Sequence, residues 1–436
     1  MPLRSRTSTS SGSENRASGI RIRSGVPVGV EVTRARGLVS ALALGTTGLR
    51  SVRRPADDTG PAFDLTYVRT GPHTRRPTVV VPGGPGLGSV LPYRGLRRGA
   101  ARLGHDLIMV EHRGVGLSRT DTAGRDLPLS AMRVAAVADD IVAVLDREAV
   151  DTAYLAGSSY GSYVVSCVGA LYPERVAGML LDSALQSSTD MDLERRAVRS
   201  LFWDADTAIA ADVRRLYTRG EDGRRLLDVV RAAYELGGPE LLGPLLQGRV
   251  RGRARGSVPA PDGAAWRLLE AYATREGTLA RVPGVYEFDL AGAIGFRELG
   301  YGAPADGRPL DPALTYAPLA HVFPAFDAEP VDLSREVSRF TWPTVLLSGS
   351  RDLRTPADIA DRVASIAPDA VVTRIENGHS ALDTHPAALL MALDYLVSGR
   401  YDALSGQGEV LNALPRRGVT ARLPTLLAGL VRHTDS

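Results

Sequence analysis

The feature that most constrains the fold is the stretch 155–161, Leu-Ala-Gly-Ser-Ser-Tyr-Gly, which joins a short apolar run to a Gly-, Ala- and Val-rich helical segment. It contains the pattern Gly157-x-Ser159-x-Gly161. Glycines on both sides of a serine allow a strand and a helix to approach closely at a sharp turn. The pattern alone has low specificity in a chain with 46 glycines. Its meaning therefore depends on a strand before it, a helix after it, and a base and an acid downstream.

Short apolar runs alternate with helical patterns on both sides of this turn. Strands are predicted at 63–68, 78–81, 106–110, 153–156, 176–181, 343–349 and 371–375. Strands that are short continuous apolar runs, separated by helices, are typical of a parallel sheet covered on both faces. The chain is therefore predicted to be an α/β protein with a mostly parallel central sheet and helices on both faces.

The alternation stops after residue 185 and resumes near 341. Residues 186–340 contain Arg- and Leu-rich amphipathic helices and no clear buried strand, which predicts a large helical cap inserted into the α/β domain. A cap above the strand ends would cover the active site and select the substrate. The predicted division is a basic, partly disordered arm (1–55), a core in two parts (56–185 and 341–400), the cap (186–340) and a C-terminal tail helix (401–436).

Charge is concentrated in the arm. Residues 1–54 hold ten arginines against two acidic residues, so the remainder carries 42 basic and 47 acidic residues, and the chain has no lysine. Residues 1–24 lack apolar periodicity and are predicted to be disordered. The Arg- and Gly-rich segment 249–256 is interpreted as a solvated loop, because the aromatic residues that stack on nucleic-acid bases are absent from it.

Composition also limits the classes of protein. The single cysteine, Cys167, excludes an internal disulfide framework and a cysteine-based metal site. No run approaches 18 apolar residues, so no membrane span is predicted. We therefore expect a cytoplasmic enzyme without a cofactor or metal and without a nucleic-acid or membrane partner. The oligomeric state does not follow from the sequence.

Hydrolysis through Ser159 requires a base that contacts its hydroxyl group and an acid that orients the base. In folds with this turn, the order along the chain is Ser, then Asp or Glu, then His. His379 directly follows the predicted strand 371–375 and is the candidate base, with His385 second. Asp352 follows the strand 343–349 and is the preferred acid, and Asp182 is the alternative.

The oxyanion of an acyl-transfer intermediate needs backbone donors. The N–H of Tyr160, next to the nucleophile, and the N–H of Gly84, in the Gly-rich loop after the strand 78–81, are the candidates. A phosphate-binding loop is excluded there, because no Lys-Ser/Thr pair follows the glycines.

Five motifs occur in order along the chain: Gly83-Gly84-Pro85-Gly86, Arg113-Gly114-x-Gly116-x-Ser118, Gly157-x-Ser159-x-Gly161, Gly349-x-x-Asp352 and Gly378-His379. Over residues 60–400 the chain resembles α/β-hydrolase-fold serine peptidases of the prolyl iminopeptidase / tripeptidyl aminopeptidase family. The resemblance implies the α/β-hydrolase fold, a Ser159–His379–Asp352 triad and aminopeptidase activity.

Three positions depart from the pattern of that family. Pro82 replaces a histidine, Glu111-His112 replaces Asp-Gln, and Phe296 replaces a cysteine in a stretch similar to Ala-Ile-x-Cys-x-Glu. The resemblance implies that Glu298, which ends this stretch, binds the α-amino group of the substrate.

The sequence thus predicts a serine aminopeptidase that releases N-terminal proline or short peptides through an acyl-enzyme. One alternative is an esterase, lactonase or amide hydrolase acting on a small metabolite. Another, from a different class, is a non-catalytic binding module on a hydrolase fold, against which the complete Ser, Asp and His set argues. Reactivity toward free-amine and amine-blocked substrates, and labelling by a serine-reactive probe, distinguish these hypotheses.

Overall fold

The computed structural model describes residues 28–254, 263–274, 282–416 and 419–432. Its centre is one sheet of eight strands in the order β1-β2-β4-β3-β5-β6-β7-β8. The strands are β1 (Leu49–Arg54), β2 (Phe63–Thr70), β3 (Thr78–Val81), β4 (Leu107–Val110), β5 (Ala153–Ser158), β6 (Val176–Asp182), β7 (Thr344–Gly349) and β8 (Ala370–Ile375). Neighbouring strands pair in parallel from β4 through β3, β5, β6 and β7 to β8. Strand β2 pairs antiparallel with both β1 and β4. The predicted α/β architecture with a mostly parallel sheet is confirmed.

Helices cover both faces of the sheet. Val79 and Val81 of β3 pack into one apolar cluster and Val80 into another, because successive side chains of a strand point to opposite faces. The helices are α1 (Val28–Leu44), α2 (Arg94–Arg102), α3 (Val134–Arg147), α4 (Tyr160–Leu171), α5 (Met191–Phe202), α6 (Ala208–Thr218), α7 (Gly223–Ala254), α8 (Gly263–Thr274), α9 (Phe288–Glu298), α10 (Leu333–Glu336), α11 (Ala357–Ile366), α12 (Ala381–Thr384), α13 (Pro386–Val397), α14 (Gly408–Asn412) and α15 (Val419–Arg432). Helices α3, α4 and α11 contribute to the first cluster, and α2 and α13 to the second.

Residues 49–54 were predicted to belong to the N-terminal arm, but they are part of the central sheet. They form β1, which pairs antiparallel with β2 from Leu49 opposite Val68 to Arg54 opposite Phe63. Only Leu49 and Val52 supply apolar side chains to this strand, so three arginines obscured the alternation expected of a strand. Such charged side chains are common on edge strands, where they discourage pairing with other chains.

The predicted cap region contains α5 to α10. Helices α5 to α8 share an apolar core of their own, which includes Phe202, Leu227, Leu245 and Trp266. The C-terminal helix α15 joins this core through Leu427, so the end of the chain packs on the cap helices. Helix α7 continues to Ala254, so the loop interpretation of 249–256 is wrong for 249–254, and 255–256 lie outside the described residues.

Residues 1–24, predicted to be disordered, also lie outside the described residues. Within the described ranges, no helix combines the length and the apolar character that crossing a membrane requires.

Candidate active site

Ser159 occupies the sharp turn between β5 and α4, with φ 54° and ψ −123°. A side chain at either flanking glycine would collide with the backbone. An added Cβ would lie 2.2 Å from the Gly161 carbonyl oxygen at position 157, and 2.1 Å from the Val81 carbonyl oxygen at position 161. The Gly-x-Ser-x-Gly pattern is therefore required by the close approach of α4 to the sheet.

The structure brings the three predicted catalytic side chains together. His379 Nε2 lies 2.9 Å from Ser159 Oγ, and His379 Nδ1 lies 3.0 Å and 3.1 Å from the two carboxylate oxygens of Asp352. Asp352 follows β7 and His379 follows β8, at the carboxyl end of the parallel sheet. With the Nδ1–H donated to Asp352, Nε2 is free to accept the hydroxyl proton of Ser159.

Asp352 is buried and remains a carboxylate. Burial acts to raise its pKa, but the positive field of His379 and the hydrogen bonds from His379 and Thr355 outweigh burial and hold the pKa below its usual value. The N–H groups of Arg354 and Thr355 each donate to Asp352 Oδ1 at 3.0 Å. An ionised Asp352 can therefore orient His379 and stabilise its protonated form.

Asp182, the alternative acid, hydrogen-bonds Ser158 and the start of α12 in place of His379. Its carboxylate accepts the N–H groups of Ala381 and Leu382 at 3.0 and 2.9 Å, and the hydroxyl of Ser158 at 2.7 Å. Burial raises its pKa to about 6. Asp182 thus binds the first turn of α12 and ties the loop that carries His379 to the end of β5.

His385, the second candidate base, hydrogen-bonds a part of the chain other than Ser159. Its Nε2 hydrogen-bonds the Leu411 carbonyl oxygen at 3.0 Å, and burial lowers its pKa to about 4. It is fully buried and does not line the cavity that contains Ser159.

The two predicted oxyanion donors adjoin the nucleophile. Tyr160 is the first residue of α4, where an N–H has no intrahelical acceptor. The Gly83-Gly84 loop passes Ser159 so closely that a Cβ on Gly83 would be 3.4 Å from the Ser159 Cβ. No backbone acceptor among the described residues takes the N–H of Gly84 or of Tyr160. Both donors are therefore available to a ligand oxygen.

A cavity of about 590 Å³ opens at Ser159, His379, Gly83 and Gly84. Its aromatic lining comes from residues 286–323 of the predicted cap: Tyr286, Phe288, Tyr301, Tyr316 and Phe323. The rings of Tyr301 and Tyr316 stack with centroids 4.3 Å apart. The volume is in the usual range for a small-molecule site, and the wall suits an apolar group of a substrate.

Charged side chains also line this cavity. Glu194 of α5 is partly buried there and hydrogen-bonds Arg231 of α7. Burial raises the pKa of Glu194 to about 7, although Arg231 and Arg354 act to lower it. Glu194 was not predicted, because nothing in the sequence of an amphipathic helix indicates which of its acidic residues faces the active site.

Glu298, predicted to bind the substrate amine, lies elsewhere in the structure. Its Oε2 accepts the N–H of Val134, the first residue of α3, at 2.7 Å, and Arg133 is 3.8 Å from its other oxygen. Glu298 is not among the residues that line the Ser159 cavity. Helix α9 directs this carboxylate to the start of α3, where an acceptor satisfies an otherwise unpaired N–H.

No set of three or more His, Cys, Asp or Glu side chains arranged for a metal ion occurs within the described ranges.

Comparison with known proteins gives one family match. The model of a family described as the alpha/beta hydrolase fold matches residues 77–224, whereas no curated protein sequence matches the chain.

Several solved structures have a similar fold. One is the esterase RhEst1 from Rhodococcus sp. ECU1013, with 19% sequence identity and a TM-score of 0.45; the match covers 81% of this chain and 99% of that chain. Est816, described as an N-acyl homoserine lactone degrading enzyme, has 18% identity, a TM-score of 0.43 and coverage of 79% and 99%. A thermophilic esterase from Thermogutta terrifontis has 16% identity, a TM-score of 0.44 and coverage of 81% and 99%. The sheet order, the turn at Ser159 and the family match show that the chain has the α/β-hydrolase fold.

Proposed function

We propose that this protein is a serine hydrolase that cleaves a carboxylic ester or amide through an acyl-enzyme. The observation that carries the proposal is the continuous contact Ser159–His379–Asp352 at the edge of a substrate-sized cavity. A binding module has no need of a serine, an imidazole and a carboxylate at hydrogen-bond distance in this order.

The geometry assigns a role to each group. Ser159 Oγ attacks the carbonyl carbon while His379 Nε2 takes its proton, and the N–H groups of Tyr160 and Gly84 stabilise the oxyanion. His379 then gives the proton to the leaving oxygen or nitrogen, and the C–O or C–N bond breaks. Water, deprotonated by His379, attacks the acyl-enzyme and releases the acid and free Ser159. Each oxyanion donor contributes about 3 kcal/mol in comparable enzymes.

A second candidate, an aminopeptidase, is favoured by one observation. Glu194 places a partly buried carboxylate in the same cavity as Ser159, where it could accept the α-ammonium group of a peptide. Its present partner is Arg231, so a substrate amine would compete with this guanidinium. An ester or amide without a free amine needs no such exchange, and we therefore place the esterase or amide hydrolase first.

A fluorophosphonate probe tests the serine hydrolase proposal. We expect the wild type and Ser158→Ala to be labelled and Ser159→Ala to be unlabelled. Ser158 is the matched control, since it is the adjacent serine and donates to Asp182 at 2.7 Å. Absence of labelling in the wild type, or labelling that persists in Ser159→Ala, would contradict the proposal and favour a binding module or another nucleophile.

Paired substrates separate the two candidates. Aminoacyl 4-nitroanilides with free and acetylated amines are compared with 4-nitrophenyl acyl esters in the wild type and in Glu194→Gln. An aminopeptidase prefers the free amine, and Glu194→Gln lowers this preference by about tenfold or more. Equal turnover of free and blocked amines would exclude the aminopeptidase.

A further inference from the structure

A second cavity, of about 300 Å³, adjoins the first at the catalytic histidine. His379, Arg354 and Asp383 line both cavities, whereas Ser159 and the Gly83-Gly84 loop line the first alone. The imidazole of His379 therefore separates the space that holds the oxyanion donors from a second space. In the proposed mechanism, His379 gives its proton to the leaving group, which therefore lies next to His379.

Two arginines that line the second cavity have no carboxylate partner in the part of the chain that the structure describes. Arg416 donates to the Asn377 side-chain oxygen at 2.8 Å and to the Glu376 carbonyl oxygen. The Nε of Arg351 is buried and has no hydrogen-bond partner among the described residues. Counting the residues that the structure describes, neither guanidinium has a carboxylate oxygen within 4.0 Å. Burial lowers the pKa of Arg416, and the charge of Arg351 lowers it further, as expected for two cations that repel each other.

The acidic side chains around this cavity are hydrogen-bonded to other groups or exposed. Glu235 is 3.3 Å from Arg354 Nε and accepts the Leu353 N–H at 3.4 Å. Asp383 accepts the hydroxyl groups of Tyr93 and Ser380 at 2.7 and 2.8 Å. Glu376 has an exposed side chain, and its charge raises the pKa of Arg416 by less than burial and Arg351 together lower it.

We propose that this second cavity binds a carboxylate carried by the leaving group of the substrate, held by Arg351 and Arg416. A guanidinium group forms parallel hydrogen bonds with a planar carboxylate, and an anion between the two arginines would relieve their repulsion. The volume accommodates a small hydroxy acid or a short peptide with a free C-terminus. The inference rests on the proposed serine hydrolase function and deepens it, because it names the chemistry of the leaving group.

The test compares two esters with one acyl group, 4-butyryloxybenzoate and 4-butyryloxybenzamide, whose leaving groups have similar shape and differ in charge. Each kcat/KM is divided by the rate of hydroxide-catalysed hydrolysis of the same ester. We expect the wild type to prefer the carboxylate ester, and Arg351→Gln or Arg416→Gln to lower this preference by about 10- to 100-fold. Arg339→Gln, an exposed arginine paired with Glu336, is the matched control and leaves the preference unchanged.

A binding measurement keeps the test independent of turnover and of variant folding. Calorimetry of the wild type with 4-hydroxybenzoate and with 4-hydroxybenzamide should show tighter binding of the acid by about tenfold or more, and high salt should weaken it. Equal binding of acid and amide, or equal use of the two esters by the wild type, would overturn the subsite. Failure of the fluorophosphonate labelling with tight binding of the acid would instead overturn the hydrolase function and retain the subsite.

Discussion

The phenolic oxygen of Tyr160 lies 2.9 Å from Nε2 of His112, which joins the residue after the nucleophile to the loop after β4. His112 is buried, and burial lowers its pKa to about 4, so the ring is neutral near pH 7. Its Nδ1 lies 2.5 Å from the Arg113 carbonyl oxygen and therefore carries the proton. Nε2 is then the acceptor and the Tyr160 hydroxyl is the donor. This contact holds the residue whose N–H is a proposed oxyanion donor.

We expect His112→Phe and Tyr160→Phe each to lower kcat by about tenfold, because either change frees the first residue of α4 to shift relative to Ser159. Each single variant also leaves a buried polar atom unpaired. The double variant should lose less than the sum of the singles, with a coupling energy of about 1 kcal/mol. Steady-state kinetics of the four proteins measures this cycle, and strict additivity would contradict a direct role of the contact.

The two buried aspartates should respond differently to amide substitution. Asp352→Asn is expected to lower kcat/KM by roughly 10,000-fold with little effect on stability, since an amide favours the wrong tautomer of His379. Asp182→Asn should act mainly on stability, because an amide offers one acceptor oxygen where Asp182 uses two. Kinetics and urea unfolding of both variants check the assignment. A loss of activity in Asp182→Asn as large as in Asp352→Asn would identify Asp182 as the functional acid.

Glu148, which binds side chains at the edge of the sheet, should make the free energy of unfolding depend on pH. Its carboxylate binds Arg50 of β1 at 2.5 Å, Tyr67 of β2 at 2.5 Å and Arg69 of β2 at 2.9 Å. Burial acts to raise the pKa of Glu148, but these three hydrogen bonds outweigh it and lower the pKa from 4.5 to about 2. A lowered folded-state pKa contributes stability that is complete above the unfolded value near 4.5 and is lost as the pH falls toward 2.

Urea unfolding of Glu148→Gln should therefore show a loss of roughly 1–3 kcal/mol at pH 7 and a loss about half as large or less at pH 3. Glu336→Gln, in an exposed pair with Arg339, is the control and should change stability by less than about 0.5 kcal/mol at both pH values. The same loss for Glu148→Gln at pH 3 and pH 7 would show that the charge of Glu148 is not involved.

Glu298 is expected to matter for folding and not for recognition of an amine. Glu298→Ala removes the acceptor of the Val134 N–H at the start of α3 and should lower the free energy of unfolding by about 1 kcal/mol or more. The ratio of turnover of free-amine and blocked substrates should stay at the wild-type value. A change in this ratio with unchanged stability would return Glu298 to the substrate site.

The strands of the core were predictable because each is a short apolar run bounded by turn residues. Predicted strand 78–81 has the bounds of β3, and Val176–Asp182 extends its prediction by one residue. Strand β1 was missed because it is rich in arginine: Arg53 pairs with Asp64 on the neighbouring strand, and Arg50 pairs with Glu148, 98 residues away. Tertiary ion pairs of this kind leave no local pattern.

The α/β alternation and the order of Ser159, Asp352 and His379 could be predicted from the sequence, since strand periodicity and the ends of parallel strands are local properties. The folded structure was needed to show that Asp352 and not Asp182 contacts His379, that Glu298 binds the start of α3, and that Glu194, Arg351 and Arg416 line the two cavities. The orientation of a side chain on a cap helix or in a loop depends on packing between distant segments. The arrangement of the proposed triad was therefore predictable from spacing, whereas the groups that would select a substrate became visible only in the folded chain.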